Sequence, residues 1–221
     1  MAIDDILQTL KEKEDPQQAE IHRNYHKSDL KFYGWKTPDM RKLAAEIVKT
    51  LADREQFFDF TEKLWQQPIF EARMIVNFLW AKRLKFFQES DFPKFYEHFK
   101  QCDGWAVTDM LAIPVFGEFL RKYPQFHSKV DEWKSDGHLW VRRAGILRFI
   151  APVRHKEPWP ERMEPILTHH LPETDFFIRK AIGWTLREWS KQEPERVRQF
   201  VERHKEAMAP LTYREAVRLI K

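Results

Sequence analysis

The sequence predicts an all-α fold, a HEAT-like or armadillo-like helical repeat solenoid with a concave basic groove, formed as a single domain by residues 1–221. Three observations lead to this prediction. Glycine is scarce, at six residues, and alternating β-branched residues are nearly absent. Segments with apolar residues at helical spacing follow one another along the chain, separated by proline-containing joints. A short motif with a small central residue recurs at an almost constant interval.

The predicted helices cover nearly the whole chain. In order, they span residues 2–13, 16–26, 38–51, 54–66, 69–85, 91–100, 104–121, 124–134, 138–149, 158–169, 174–191, 193–204 and 211–220. The joints between them include Gln67-Pro68, Tyr123-Pro124 and Glu157-Pro158-Trp159-Pro160. In Thr37-Pro38-Asp39, a threonine N-cap, a proline at the first helical position and an acidic first turn predict a helix start.

A small residue marks the same point of five successive repeats. These residues are Ala72, Thr108, Ala144, Ala181 and Ala216, at intervals of 36, 36, 37 and 35 residues. A period in this range, filled by two helices per unit, is typical of an α-solenoid whose inner helices line a concave surface. We therefore expect the five small residues to lie where neighbouring helices press together.

Charge is unevenly distributed although the net charge is only +4. Residues 1–110 carry 17 basic and 19 acidic residues, whereas residues 111–221 carry 21 and 15. An arginine-rich second half favours contact with a polyanion. No apolar run is long enough to span a membrane, and the N-terminus lacks the features of a secretory signal. The single cysteine, Cys102, excludes an internal disulfide and favours a cytoplasmic location.

The strongest chemical signal is the pair Trp105 and Asp109, which lie one helical turn apart and so share a helix face. The face of an indole attracts cations, and a carboxylate supplies a full negative charge, so the pair suits a positively charged substrate. Two alternatives remain open from spacing alone: Trp105 can belong to the core, and Asp109 can complement a helix dipole.

Basic residues follow on helices of the same class, and they could track a phosphodiester backbone. They are Arg143, Arg148, Arg154, Lys180 and Arg187. Trp184 could form an aromatic cleft with Trp105, while Asp109 stabilises the oxocarbenium-like transition state of N-glycosidic bond cleavage. An N-alkylated purine is already cationic and leaves without protonation, so one carboxylate suffices. The alternative is that the arginines form solvated faces or intrahelical ion pairs.

Other candidate sites are weaker. His22 and His26 have the spacing of zinc ligands, but no second ligand pair accompanies them, and we expect no metal. Cys102 lacks an activating pattern and is expected to be inert. Phosphate-binding glycine motifs and the serine-hydrolase motif are absent from the sequence, so we expect no cofactor.

Five stretches, in order, carry a resemblance to a known family. They are Phe-Tyr-Gly-Trp-Lys-Thr-Pro-Asp-Met-Arg (32–41), Trp-Ala-Val-Thr-Asp-Met (105–110), Leu-Trp-Val-Arg-Arg-Ala (139–144), Phe-Phe-Ile-Arg-Lys-Ala-Ile-Gly-Trp-Thr-Leu-Arg-Glu (176–188) and Ala-Pro-Leu-Thr-Tyr-Arg-Glu-Ala (209–216). From about residue 20 onward, the chain resembles the AlkD-type DNA alkylation repair proteins, bacterial DNA glycosylases built from HEAT-like repeats.

This resemblance implies removal of alkylated purines, such as 3-methyladenine and 7-methylguanine, from duplex DNA without base flipping. It implies that Asp109 is catalytic and that Trp105 and Trp184 contact the deoxyribose. It also implies that Arg143 and Arg187 hold backbone phosphates.

The same resemblance places Tyr25 beside the lesion and brings Thr37 and Arg41 to a phosphate at a helix N-terminus. It further implies a monomer in the bacterial cytoplasm or nucleoid, acting on double-stranded DNA without a membrane or a cofactor. Two alternatives are a non-catalytic HEAT-repeat protein that binds damaged or branched DNA and a helical scaffold that binds proteins.

Overall fold

Helices account for the regular structure of the part of the chain that the computed structural model describes, residues 2–157 and 159–220. The α-helices are α1 (Ile3–Glu12), α2 (Pro16–His26), α3 (Thr37–Thr50), α4 (Arg54–Trp65), α5 (Phe70–Lys82), α6 (Phe92–Gln101), α7 (Trp105–Leu111), α8 (Glu118–Lys122), α9 (His127–Asp131), α10 (Leu139–Leu147), α11 (Ile150–Arg154), α12 (Pro160–His170), α13 (Phe176–Ser190), α14 (Pro194–His204) and α15 (Pro210–Ala216). The all-α helical-repeat prediction is confirmed. No helix in these residues is both long and apolar enough to cross a membrane.

Several predicted helices differ from the observed ones in detail; the predicted helix 124–134, for example, consists of α9 between 3-10 segments at Pro124–Phe126 and Glu132–Ser135. The segment 104–121 contains a π-helical stretch, Ala112–Gly117, between α7 and α8, and Pro114 within it has no amide hydrogen for a regular helical ladder. The predicted helix 138–149 ends early, because α10 stops at Leu147 and residues 148–149 form a turn before α11 begins at Ile150. In the joint before α12, Pro158 lies outside the described residues, and α12 begins at Pro160.

The five small residues of the repeat are all fully buried, as expected from their spacing. Each has 0% of its surface exposed, on α5, α7, α10, α13 and α15 in turn, from Ala72 to Ala216. Removing side-chain volume at these points allows neighbouring helices to approach closely. The 36-residue period of the sequence therefore corresponds to a repeated packing position.

The helices form two compact units. The first runs through Gln88 and also contains Cys102–Met110; within it α3 and α4 pack against α5, and α1 packs against α4. The second comprises Glu89–Gln101 and the residues from Leu111 onward; within it α13 packs against α10, α12, α14 and α15. The single repeat domain over residues 1–221 and its concave groove stay predictions.

At Gly183, α13 approaches α15 closely. A Cβ added there would lie 2.5 Å from the Cβ of Glu215 and 2.9 Å from the backbone oxygen of Thr212. We expect Gly183→Ala to lower the free energy of unfolding by about 1–3 kcal/mol through overpacking, measured by urea denaturation. Gly137→Ala is the matched control, because a Cβ there meets nothing within 4 Å. Equal stability of the two variants would contradict the close packing of α13 on α15.

Candidate functional site

In the first unit, the start of α7 is fixed by contacts with the segment that follows α2. The carboxylate of Asp103 accepts hydrogen bonds from the Ser28 hydroxyl at 2.7 Å and from the backbone amide of Asp29 at 2.6 Å. Gly104 has φ +107°, a left-handed conformation that suits glycine. The Thr108 hydroxyl donates to the Gly104 carbonyl at 2.9 Å. These bonds set the direction in which α7 presents Trp105 and Asp109.

The indole of Trp105 is half-buried and belongs to an aromatic cluster formed mainly by α2. Its ring centroid lies 5.5 Å from that of Tyr25, edge to face, and 5.1 Å from that of His26. The His26 ring stacks in turn on Phe70 at 4.6 Å, and Phe70 stacks on Phe32. Tyr25 is 67% exposed, so the cluster connects the core to an open aromatic edge. Trp105 is therefore not a fully buried core residue.

His26 contributes an uncharged ring to this cluster. Burial, with a smaller contribution from nearby His22, lowers the pKa of His26 to about 4. The imidazole is consequently neutral at physiological pH and adds no positive charge beside Trp105. The rings of His22 and His26 meet edge to face with centroids 6.1 Å apart. Among the described residues, no group of three or more His, Cys, Asp or Glu side chains could hold a metal ion.

Asp109 lies one turn after Trp105 and is only 8% exposed. It is the fifth residue of α7, so it does not cap the helix. Its charge acts on the neighbouring Cys102 thiol. Burial is the main cause that raises the pKa of Cys102 to about 12, and Asp109 and Asp103 add to that rise. A carboxylate withdrawn from water in this way interacts more strongly with a cation than an exposed one does.

The raised pKa leads to a prediction for Cys102, which is a buried free thiol. Because thiol reagents react with the thiolate, we expect the native protein to resist modification by 5,5′-dithiobis(2-nitrobenzoate) at pH 8. One equivalent should react once urea unfolds the chain. Rapid modification of the folded protein would contradict the burial of this thiol and would reopen it as a candidate nucleophile.

The N-terminus of α3 carries two of the predicted phosphate contacts. Lys36, not Thr37, occupies the N-cap, so the helix begins one residue earlier than predicted, and no side chain caps it. Thr37 and Arg41 are both exposed, and the Arg41 guanidinium lies over the Phe78 ring at 4.6 Å. These positions are compatible with a phosphate contact, which stays a prediction.

The loop that leads into α3 is held by a buried acid that sequence reasoning missed. One carboxylate oxygen of Glu71 accepts hydrogen bonds from the backbone amides of Tyr33, Gly34 and Trp35 at 3.0, 2.9 and 3.3 Å. Burial raises the pKa of Glu71, and the backbone hydrogen bonds oppose that rise. Glu71 thus fixes the path of the chain towards Thr37 from a position 34 residues away.

In the second unit, Trp184 lies on α13 beside a shared carboxylate. Its indole N–H donates to Glu188 at 3.2 Å, and Glu188 also accepts from Lys191 at 2.9 Å and Arg154 at 3.4 Å. Burial acts to raise the pKa of Glu188, but hydrogen bonds and nearby positive charges outweigh it and lower that pKa. The ionised carboxylate therefore holds the orientation of the half-buried Trp184 ring.

Arg187, one turn further along α13, is paired with Glu215 on α15. Lys180 donates to the same carboxylate at 2.5 Å. Burial acts to raise the pKa of Glu215, while Lys180 and Arg187 lower it to a larger extent. Two cations thus share one anion, and the cluster retains one excess positive charge on the face of α13 that carries Trp184.

Arg143 and Arg148 are buried, in contrast to Arg187. Arg143 is 3% exposed and donates to the backbone carbonyl of Phe177. Arg148 is 0% exposed and forms an ion pair with Asp131, which also pairs with Arg162. In this conformation neither guanidinium is presented to solvent, so their predicted phosphate contacts receive no support from the geometry and stay predictions.

The helices are paired and repeat with a period near 36 residues, which defines a helical-repeat protein. Its helices α7 and α13 carry aromatic and charged side chains. A family model described as DNA alkylation repair enzyme matches residues 6–220. The chain belongs to this family, which supports a role in DNA alkylation repair. No curated protein matches the chain.

Solved structures share the fold at low sequence identity. A predicted DNA alkylation repair enzyme from Enterococcus faecalis is 20% identical, with a TM-score of 0.83 over 94% of this chain and 97% of that chain. AlkD2 from Streptococcus mutans is 21% identical, with a TM-score of 0.64 over 85% and 91%. The smu.31 protein from Streptococcus mutans UA159 is 20% identical, with a TM-score of 0.60 over 82% and 100%.

Proposed function

We propose that the protein is a DNA glycosylase that excises N-alkylated, cationic purines such as 3-methyladenine and 7-methylguanine from duplex DNA without base flipping. The observation that carries this proposal is the pair on α7. The nearly buried carboxylate of Asp109 lies one helical turn from the half-buried indole of Trp105. Family membership supplies the nucleic-acid context.

The pair has the electrostatic character that this reaction needs. Cleavage of an N-glycosidic bond places positive charge on the deoxyribose, and a fixed carboxylate lowers the energy of that charge in the transition state. The π face of Trp105 adds a weaker attraction for the same cation. The neutral state of His26, with its pKa near 4, avoids a repulsive charge behind the indole. Asp109 is also the group that would orient the attacking water.

A cationic leaving base removes the need for a general acid. An alkylated purine departs as a neutral base when its glycosidic electrons move to the ring, so no proton has to be supplied. One carboxylate is then sufficient, whereas ordinary glycosidases use two.

The remaining site residues are assigned as contacts of DNA. Trp184 is proposed as the second tryptophan at the deoxyribose, and Tyr25 as the exposed aromatic beside the lesion. Arg187 would exchange Glu215 for a phosphate, and Glu215 would then keep Lys180 as its partner. Thr37 and Arg41 would meet a second phosphate at the start of α3.

The direct test is incubation of the full chain with methylated genomic DNA, followed by identification of the released bases by mass spectrometry. We expect free 3-methyladenine and 7-methylguanine and no release of unmodified bases. Salt-dependent binding of alkylated DNA without base release would favour a non-catalytic DNA-binding protein. Absence of DNA binding at low salt would favour a helical scaffold for proteins.

A further inference from the structure

One carboxylate on α15 lies between two cations on α13. Lys180, Gly183 and Arg187 follow one another at helical spacing, so the three positions share a face of α13. Gly183 has no side chain, and Glu215 packs over this gap, since a Cβ added at Gly183 would lie 2.5 Å from the Cβ of Glu215. One oxygen of the Glu215 carboxylate accepts a hydrogen bond from Lys180 at 2.5 Å, and the other accepts one from Arg187. Close packing at Gly183 therefore brings Glu215 against both cations.

The ion pair of Arg187 with Glu215 uses the same donors that would bind a phosphate. A guanidinium binds carboxylates and phosphates through the same planar set of N–H groups, so one anion excludes the other. The side chains of Arg187 and Glu215 are 19% and 13% exposed, which leaves the pair at the surface of the second unit but partly screened from water. Glu215 therefore occupies a donor of Arg187 for which a phosphate would have to compete.

Lys180 allows Arg187 to leave this pair without stranding a charge. Its ammonium group binds the carboxylate oxygen that Arg187 does not use, and its side chain is 39% exposed. Burial acts to raise the pKa of Glu215, whereas Lys180, Arg187 and Arg218 act to lower it. After the loss of Arg187, the carboxylate would still face the charges of Lys180 and Arg218. The large cost of an unpaired buried charge is thereby avoided, and the exchange can be reversible.

We propose that Glu215 is an autoinhibitory residue, which competes with DNA phosphate for Arg187 and so limits the affinity of the protein for DNA. This inference rests on the proposed function, in which Arg187 holds a backbone phosphate. Phosphates are the same in damaged and undamaged DNA and carry no sequence information. The competition therefore lowers affinity for both kinds of duplex, which favours release of the protein from DNA that needs no repair.

The test is Glu215→Gln, with binding of an undamaged duplex oligonucleotide measured by fluorescence anisotropy at low salt. Glutamine keeps the size of the side chain and removes its charge. We expect the variant to bind the duplex roughly fivefold more tightly than the wild type, the upper end for one partly exposed ion pair. A purely structural role of Glu215 would not produce this gain, because a destabilised protein does not bind more tightly.

Glu164→Gln is the matched control. The Glu164 carboxylate also serves two cations, Arg196 at 3.1 Å and Arg203 at 2.9 Å, and its side chain is 18% exposed. The substitution changes the net charge by the same amount, but Glu164 lies on α12 and not beside Arg187. Its affinity for the duplex should equal that of the wild type, and an equal gain in both variants would overturn the proposal.

Arg187→Ala identifies the cation that Glu215 restrains. This substitution should weaken binding and reduce the slope of log K against log salt concentration by about one unit. Adding Glu215→Gln to Arg187→Ala should then give no gain in affinity, because the cation to be released is absent. A gain that persists in the double variant would mean that the Glu215 charge repels DNA from a distance, and it would reject competition for Arg187.

Release of bases from methylated DNA separates this inference from the proposed function. If the wild type releases bases but Glu215→Gln binds DNA no more tightly, the competition alone is overturned. If Glu215→Gln gains affinity but the wild type releases no base, the competition is supported in a DNA-binding protein and the glycosylase is rejected. If neither protein binds DNA at low salt, both proposals are rejected.

Discussion

Asp109→Asn is expected to reduce release of 7-methylguanine from alkylated duplex DNA by about 10²–10³-fold, the cost of removing one preorganised electrostatic group at a transition state. The substitution keeps the size and shape of the side chain and removes its negative charge. Since Asp109 is proposed to act on the developing cation rather than on the phosphates, DNA affinity should remain close to that of the wild type. Single-turnover release of the free base and a DNA-binding titration measure the two quantities separately.

Asp91→Asn is the matched control for this experiment. Asp91 is also a buried aspartate, 2% exposed, and its carboxylate lies 3.1 Å from the ammonium group of Lys94. It has no part in the proposed chemistry, so its replacement should leave the rate of base release unchanged even if the protein becomes less stable. Wild-type activity of Asp109→Asn would reject the catalytic assignment, and equal losses in both variants would indicate a general effect of stability.

The sequence predicts the fold closely because the same kind of packing residue recurs in each repeat. A small residue every 35–37 positions recurs in five helices, and all five are fully buried in the structure. The shared face of Trp105 and Asp109 is equally local, since four residues make one helical turn. Such features depend on neighbouring residues and a helical period, which a single sequence contains.

The partners of the site residues could not be predicted in the same way. His26 contacts Trp105 from a distant part of the chain, and Glu215 reaches Arg187 from the next repeat. Nothing in the local spacing identifies either contact. Pairing of this kind decides whether a cation is available to DNA, and it follows from the packing of one helix on another.

Arg148 shows how a small error in a helix boundary changes a functional assignment. The predicted helix 138–149 would carry Arg148 on the same helix as Arg143. In the structure α10 ends at Leu147 and Arg148 lies in the following turn, where its side chain is buried beside Asp131. The buried pair indicates a structural role for Arg148, and this role can be tested against the predicted DNA contact.

Asp131→Asn is expected to destabilise the protein by about 3–5 kcal/mol, the cost of leaving a buried charge without its partner. The loss arises because Arg148 is 0% exposed and cannot recover its hydration when the carboxylate is removed. Arg148→Met should lower the free energy of unfolding by less, since Asp131 keeps its ion pair with Arg162 and the Asp131 side chain is 26% exposed. The free energies of unfolding of the two variants, measured in urea, test this difference. Glu195→Gln is the control: Glu195 forms an exposed ion pair with Arg198, so its replacement should change the free energy of unfolding little.

DNA binding by Arg148→Met then separates a structural arginine from a phosphate contact. Each phosphate contact contributes about one unit to the slope of log K against log salt concentration. Because the guanidinium of Arg148 is enclosed by protein, we expect the affinity and the slope of Arg148→Met to match those of the wild type. A slope reduced by one unit, with stability unchanged, would mean that Arg148 leaves Asp131 for a phosphate when DNA binds, and the buried pair would then be a resting state of the DNA-binding surface.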